Sequence, residues 1–413
     1  MTTYSPSSYS PASSLGWLDF DAAATERVAT LLRSLQEPAT LDVLGLGSVR
    51  DAFSEMLHPG TSYIHTRLRY FMFLPWIFQR LEAERVAPAD FFRRLRHYEA
   101  LLIERLRHLG PGKGVIGYQA GRNLKRMPSD IYWGGLGEWG LRRIPLSLGE
   151  YAQRAAGAGI PAALDDDGSV TDPSSSMWAP LPDPPERFLE ADITFELSRD
   201  EAETLRGNVQ LKQPGTLLAW LCAQPDLAAP CEYPWDVSRQ GMPEKLTEVV
   251  QHARCFSELT AGPQYVYNVL VARRAHKKLR WDTSRLEESQ HGRLQRWVKM
   301  VRSRQEELRL WADDLPACWA LLHRYRIRRS TRDFIAGIVR SAVENPEGFG
   351  EDPSVHEQIR LREIRLKGNR ARLAYLTALE NWNQRAVGGQ LGYRWSIAKN
   401  YVGEIADALA ADR

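Results

Sequence analysis

Cysteine, long apolar runs and strand-like alternation are all scarce in this chain, and each scarcity closes off a class of protein. The four cysteines, Cys222, Cys231, Cys255 and Cys318, stand nine or more residues apart with no Cys-x-x-Cys pair. That argues against a zinc ribbon and disfavours a disulfide-stapled secreted scaffold. The most apolar window, Tyr70 to Phe78, is far shorter than the roughly 20 residues of a membrane helix. It reads as a buried helix kinked at Pro75. No apolar signal segment opens the chain, and residues 1–14 read as a polar, disordered tail. A cytoplasmic protein without membrane contact is expected. Period-two alternation is rare, so the fold should be mostly α with little β. Bulk charge is nearly balanced, with 54 Lys and Arg against 51 Asp and Glu, so only its distribution can point to a partner.

Catalytic signatures are equally thin. Gly45-Leu-Gly47 lacks the third glycine and the preceding strand of a dinucleotide fold. Gly110-Pro-Gly-Lys-Gly114 lacks the Walker spacing, with glycine where a magnesium-binding hydroxyl should follow the lysine. The nine histidines do not cluster, and His58 and His65 straddle a helix break. A nuclease would gather carboxylates and a lysine on a metal ion. Asp192, Glu196 and Glu363 with Lys367 are available, but their spacing fixes no site. The balance leans against an enzyme without settling it, and no cofactor and no metal are expected.

What is present is a globular composition, 43% apolar and 25% charged over 413 residues, long enough for several domains. Residues 15–155 read as an N-terminal helical domain. Asp21 caps a helix from Ala22 to Leu35, Ser48 caps one to Leu57, and others cover 66–85 and 89–109. Residues 156–190, rich in Asp, Pro and Ser, form an acidic linker or loop. A central helical domain spans 191–350 and a basic helical segment 351–413. Ser-x-x-Glu capping boxes at Ser147/Glu150, Ser198/Glu201, Ser284/Glu287 and Ser354/Glu357 mark helix starts. One long helix is expected over 244–279, interrupted at Gly262-Pro263, and another over 284–310. Between Pro128 and Glu150, a short helix, a turn at Gly140 and a second helix make a candidate helix-turn-helix-like element.

Cations gather in runs. Residues 360–372 hold six, Arg360, Arg362, Arg365, Lys367, Arg370 and Arg372, against the single anion Glu363. Arg273, Arg274, Lys277 and Lys278 form a second run, and Arg122, Lys125 and Arg126 a third. Further arginines recur over 93–107, 293–309 and 324–332. Arginine forks suit phosphate oxygens, so these thirteen named residues are the candidate nucleic-acid contacts, with DNA as the expected ligand. Any single run is equally an exposed helix face paired with its own acids. Trp281, Trp297, Trp311, Trp319, Tyr325, Trp382, Tyr393 and Trp395 lie among the cations, suited either to stacking on bases or to the core.

Leu15-Gly-Trp-Leu-Asp-Phe20, Leu46 to Phe53, Pro59 to Phe71, Pro128 to Trp133, Phe195 to Ala202 and the pair Arg394-Trp395 resemble a bacterial family of unknown function, number six-three-six-one of the unknown-function series. The resemblance spans nearly the whole chain and implies one shared architecture. It carries no catalytic residue. It implies a setting in prokaryotic defence against phage, beside helicase or nuclease partners. The expected function is therefore that of a DNA-binding, non-enzymatic subunit of such a system. The alternatives are an adaptor docking a helicase or nuclease, or a divergent metal-dependent nuclease.

Overall fold

The computed structural model describes residues 42–155 and 176–411. The expected tail over 1–14, the helix from Ala22 to Leu35 and most of the 156–190 loop lie outside the described residues. Among them are fifteen α-helices, and the pairing of strands is limited to one isolated bridge between Arg142 and Trp178.

Helix α1 (Gly47–Leu57) is capped from outside its first turn. The Asp42 carboxylate accepts the Leu46 and Gly47 amides at 2.6 and 2.8 Å, while Ser48, the expected cap, is exposed within the helix. Helix α2 (Tyr70–Ala83) buries every residue from Tyr70 to Phe78. It starts later than Thr66 because that approach is bonded elsewhere: the Thr66 amide donates to the Tyr132 hydroxyl and the Leu68 amide to Glu404. Helix α3 (Pro88–Leu106) opens on a proline whose missing N–H costs nothing there. Helices α4 (Pro128–Glu138) and α5 (Leu148–Ala155) are joined by residues 139–147, longer than the three- or four-residue turn of a helix-turn-helix. Within that connection Trp139 is buried, stacked on Phe71 at 4.2 Å and bonded to the Pro59 carbonyl.

The second half of the chain continues with α6 (Arg199–Lys212), α7 (Leu217–Ala223), α8 (Glu244–Leu279), α9 (Ser284–Ser303), α10 (Gln305–Asp313), α11 (Leu315–Leu321), α12 (Arg329–Glu344), α13 (Pro353–Lys367), α14 (Leu376–Glu380) and α15 (Trp395–Ala410). The boxes at Ser147/Glu150 and Ser198/Glu201 form reciprocally. The other two do not. Glu287 turns to Arg273 and Glu357 to Arg360, and the cap of α13 is Asp352, which accepts the Ser354 amide. The expected helix over 284–310 breaks at Arg304, whose guanidinium swings in to bond Glu258 and Glu307.

Helix α8 is 36 residues long and runs unbroken through Pro263. Gly262 makes this possible. A Cβ there would lie 2.4 Å from the Trp297 ring, so only glycine lets α9 cross so close. The Trp297 indole donates to the Glu258 carbonyl at 2.7 Å, beside the carbonyl that Pro263 leaves without its usual amide.

Along α8, three buried polar side chains hold a non-helical segment as a sheet neighbour would. Asn268 accepts the Val387 amide and donates to its carbonyl, at 3.0 and 2.9 Å. Gln264 does the same for Gly389, at 3.0 and 2.9 Å, and Ser257 for Leu391, at 2.8 and 2.9 Å. The segment then locks onto α1. His58 bonds the Tyr393 carbonyl at 2.8 Å, and Arg394 bonds Glu55 and the Thr61 carbonyl. The buried apolar side chains from Val43 to Ala408 form one connected cluster.

Candidate nucleic-acid interface

On α8, residues 267, 271, 274 and 278 share one face at steps of four, three and four. That face meets the end of α13 and the turn that follows it. The Tyr267 hydroxyl donates to Glu363 at 2.6 Å, and Arg274 donates to the Ala374 carbonyl at 2.8 Å. Glu363 is fully buried. It also accepts Lys367, one turn on, at 3.3 Å and the Leu373 amide at 2.9 Å, which folds the chain back after the 3-10 turn Gly368–Arg370.

The result is a seam lined by cations. Arg274, Lys367 and Arg372 meet there, with exposed Lys278 one turn on from Arg274 and exposed Arg370 in the turn after α13; both α8 and α13 end there, where the negative end of a helix favours positive charge. The Lys367 ammonium lies over the Tyr267 ring, 5.5 Å from its centre. Burial lowers its pKa, opposed by Glu363 and reinforced by the Arg372 charge. Burial, and then the Glu363 charge, hold the Tyr267 hydroxyl well above the ordinary tyrosine range. Glu363 serves several donors, and the seam still has more than it can satisfy. Arg274 Nε and Arg372 Nη1 are both buried without an acceptor.

The remaining candidates fall into three groups. Lys277 and Arg365 are exposed and form no ion pair with the described residues, beside the seam or on the outer face of α13. Arg273, Arg360 and Arg362 are engaged internally. Arg273 bonds Glu287 and both oxygens of Glu351, Arg360 forks onto Glu357, and Arg362 is buried. Its guanidinium donates to the carbonyls of Leu44, Gly45 and Ser330 and to the Thr331 hydroxyl, so it has no exposed face to offer a phosphate. Arg122, Lys125 and Arg126 form a separate patch after α3: Arg122 pairs with Glu104 at 3.0 Å, Lys125 is exposed, and Arg126 is half-buried. Among the described residues, no hydrogen bond or ion pair joins that patch to the seam.

Of the aromatics singled out in the sequence, Trp297, Trp311, Trp382, Tyr393 and Trp395 are buried, while Trp281, Trp319 and Tyr325 are half-buried. The exposed aromatic at the seam is Tyr375, which sequence reasoning passed over. Its signal was its place, three residues after Arg372 in Arg-Leu-Ala-Tyr. The Tyr267–Glu363 pair had no signal, its members being 96 positions apart.

Asp192 is exposed beside His108, whereas Glu363 is enclosed by Tyr267, Lys367 and Leu373. Among the described residues, no group of three or more His, Cys, Asp or Glu is arranged to hold a metal ion, and no helix is long and apolar enough to cross a membrane. The four cysteines are free and buried. Burial pushes the Cys222 and Cys318 thiols up to about 12 and Cys255 to about 11, so they are poor nucleophiles.

Neither the curated proteins nor the solved structures contain a match to this chain. A family model described as a family of unknown function (DUF6361) matches residues 12–409. With all but the ends of the sequence inside that match, the chain belongs to this family.

Proposed function

We propose that the protein binds DNA through the seam between α8 and α13, as a non-enzymatic subunit of a prokaryotic phage-defence system. The binding half of the reading rests on the exposed cations at the ends of α8 and α13, Lys277, Lys278, Arg365 and Arg370. None of these four forms an ion pair among the described residues, whereas the buried Glu363 beneath them already serves Tyr267, Lys367 and the Leu373 amide. Exposed cations without internal carboxylate partners are suited to the phosphates of a nucleic-acid backbone. The defence half rests on the family resemblance.

A second reading, an adaptor docking a helicase or nuclease, is favoured by a different observation. Leu361, Leu366, Tyr375 and Leu376 are exposed around the same helices, and aromatic and aliphatic anchors of this kind make protein hot spots.

The test is fluorescence anisotropy with labelled single-stranded and duplex DNA at about 50 and about 200 mM salt. Phosphate binding gives an affinity that falls with a log–log slope of roughly −0.7 to −0.9 per contact. Lys278→Glu and Arg370→Glu should each weaken it. Absence of binding at the lower salt, or an affinity that ignores salt, overturns the proposal and leaves the adaptor reading.

A further inference from the structure

Resting on the DNA-binding reading, we infer that the seam takes single-stranded nucleic acid, with one base stacked on Tyr375. Among the described residues, Tyr375 is the one tyrosine or tryptophan whose side chain is exposed, at 45% of its surface. Every other such ring is buried or half-buried. Its backbone is held on both sides. The Tyr375 amide donates to the Ala371 carbonyl at 2.9 Å, and the preceding carbonyl, of Ala374, accepts Arg274 at 2.8 Å. The ring, by contrast, has no hydrogen bond and no stacked neighbour among the described residues. The ring thus projects into solvent from a fixed backbone, next to exposed Leu376 and within a few residues of Arg370 and Arg372.

The chemistry of the two strands decides between ligands. In a duplex the base faces are occupied by one another, and a protein surface meets phosphates and groove edges. A single strand offers unpaired faces, and a cationic track with an aromatic ring beside it satisfies both parts of that ligand. Charge selects against a neutral apolar peptide here, because covering Tyr375 and Leu376 with one would also take water from Arg274, bonded to the Ala374 carbonyl, without supplying an anion.

The experiment compares three ligands at low salt: an oligothymidine, an abasic strand of the same number of phosphates, and a duplex of equal length. The wild type is expected to prefer oligothymidine over the abasic strand by about 5- to 100-fold. Tyr375→Ala should erase that preference while leaving the abasic strand's affinity unchanged, and Tyr375→Trp should restore it. Equal urea midpoints for the variants exclude a folding defect as the cause. Equal affinity for oligothymidine and the abasic strand, or a preference that survives in Tyr375→Ala, overturns the inference while salt-dependent binding of all three leaves the DNA reading standing. Failure to bind any of the three at low salt overturns the DNA reading itself.

Discussion

Replacing Asn268 by alanine should destabilise the protein by about 2–6 kcal/mol, because the loss exposes no group to water and leaves two backbone groups without partners. Asn268 is 2% exposed and Val387, its partner, 3%. The side chain satisfies the Val387 amide and carbonyl together and also donates to Gln290 at 3.2 Å. Each orphaned backbone group costs about 1–3 kcal/mol, and these two, on one residue in one environment, set the expected range. Urea unfolding followed by circular dichroism reads the stability, and hydrogen exchange at the Val387 amide reads the mechanism, with faster exchange expected in the variant. Asn268→Leu separates packing from hydrogen bonding, since it restores volume without restoring either bond. If Asn268→Leu were as stable as the wild type, or if alanine cost less than about 0.5 kcal/mol, the range of an ordinary surface change, the hydrogen-bond argument would fail.

Other consequences are as direct. Gly262→Ala should cost about 1–3 kcal/mol by driving a methyl into the Trp297 ring, and Trp297→Phe should recover part of the loss, both read from urea midpoints. Glu99 is buried, and burial raises its pKa from 4.5 to about 8. Its contribution to stability is thus intact below pH 4.5 and lost as pH rises through about 8, so Glu99→Gln should gain on the wild type in thermal melts at alkaline pH. His58 works in the opposite direction. Burial lowers its pKa from 6.5 to about 4, so its contribution is present above pH 6.5 and lost as pH falls through about 4, a slope that His58→Gln should reduce. Arg362→Met should lower the urea midpoint by breaking four internal bonds without changing DNA affinity per folded molecule, whereas Arg370→Glu should do the reverse.

The sequence carried the helices better than their ends. The span of α8 was legible because Glu244 to Leu279 sustains helix-forming residues between clear boundaries, and Pro263 misled only because its tolerance depends on Trp297, packed in from another helix. Capping boxes were legible where nothing competed for the glutamate, at Glu150 and Glu201. At Glu287 and Glu357 an arginine took the carboxylate, and only for Arg360 was that arginine close in sequence. The same limit governs the cation run over 360–372. Charge density marked it, but density cannot separate Arg362, whose acceptors at Leu44 and Gly45 lie more than 300 positions away, from Arg370, which remains at the surface. Burial of the tryptophans followed from their apolar area, while the exposure of Tyr375 depends on a chain reversal fixed by Glu363.

The side-chain ladder on α8 has a consequence for the order in which the protein is made. Ser257, Gln264 and Asn268 leave the ribosome well before their partners, which lie 134, 125 and 119 positions downstream. Until Leu391 has emerged, Ser257, Gln264 and Asn268 lack the backbone groups they bond in the folded protein. The 134 positions between Ser257 and Leu391, about a third of the chain, must therefore be made before the ladder can close, and the last few dozen residues complete it. A chain stopped at Glu380 should be cut by protease within α8, where the full-length protein resists.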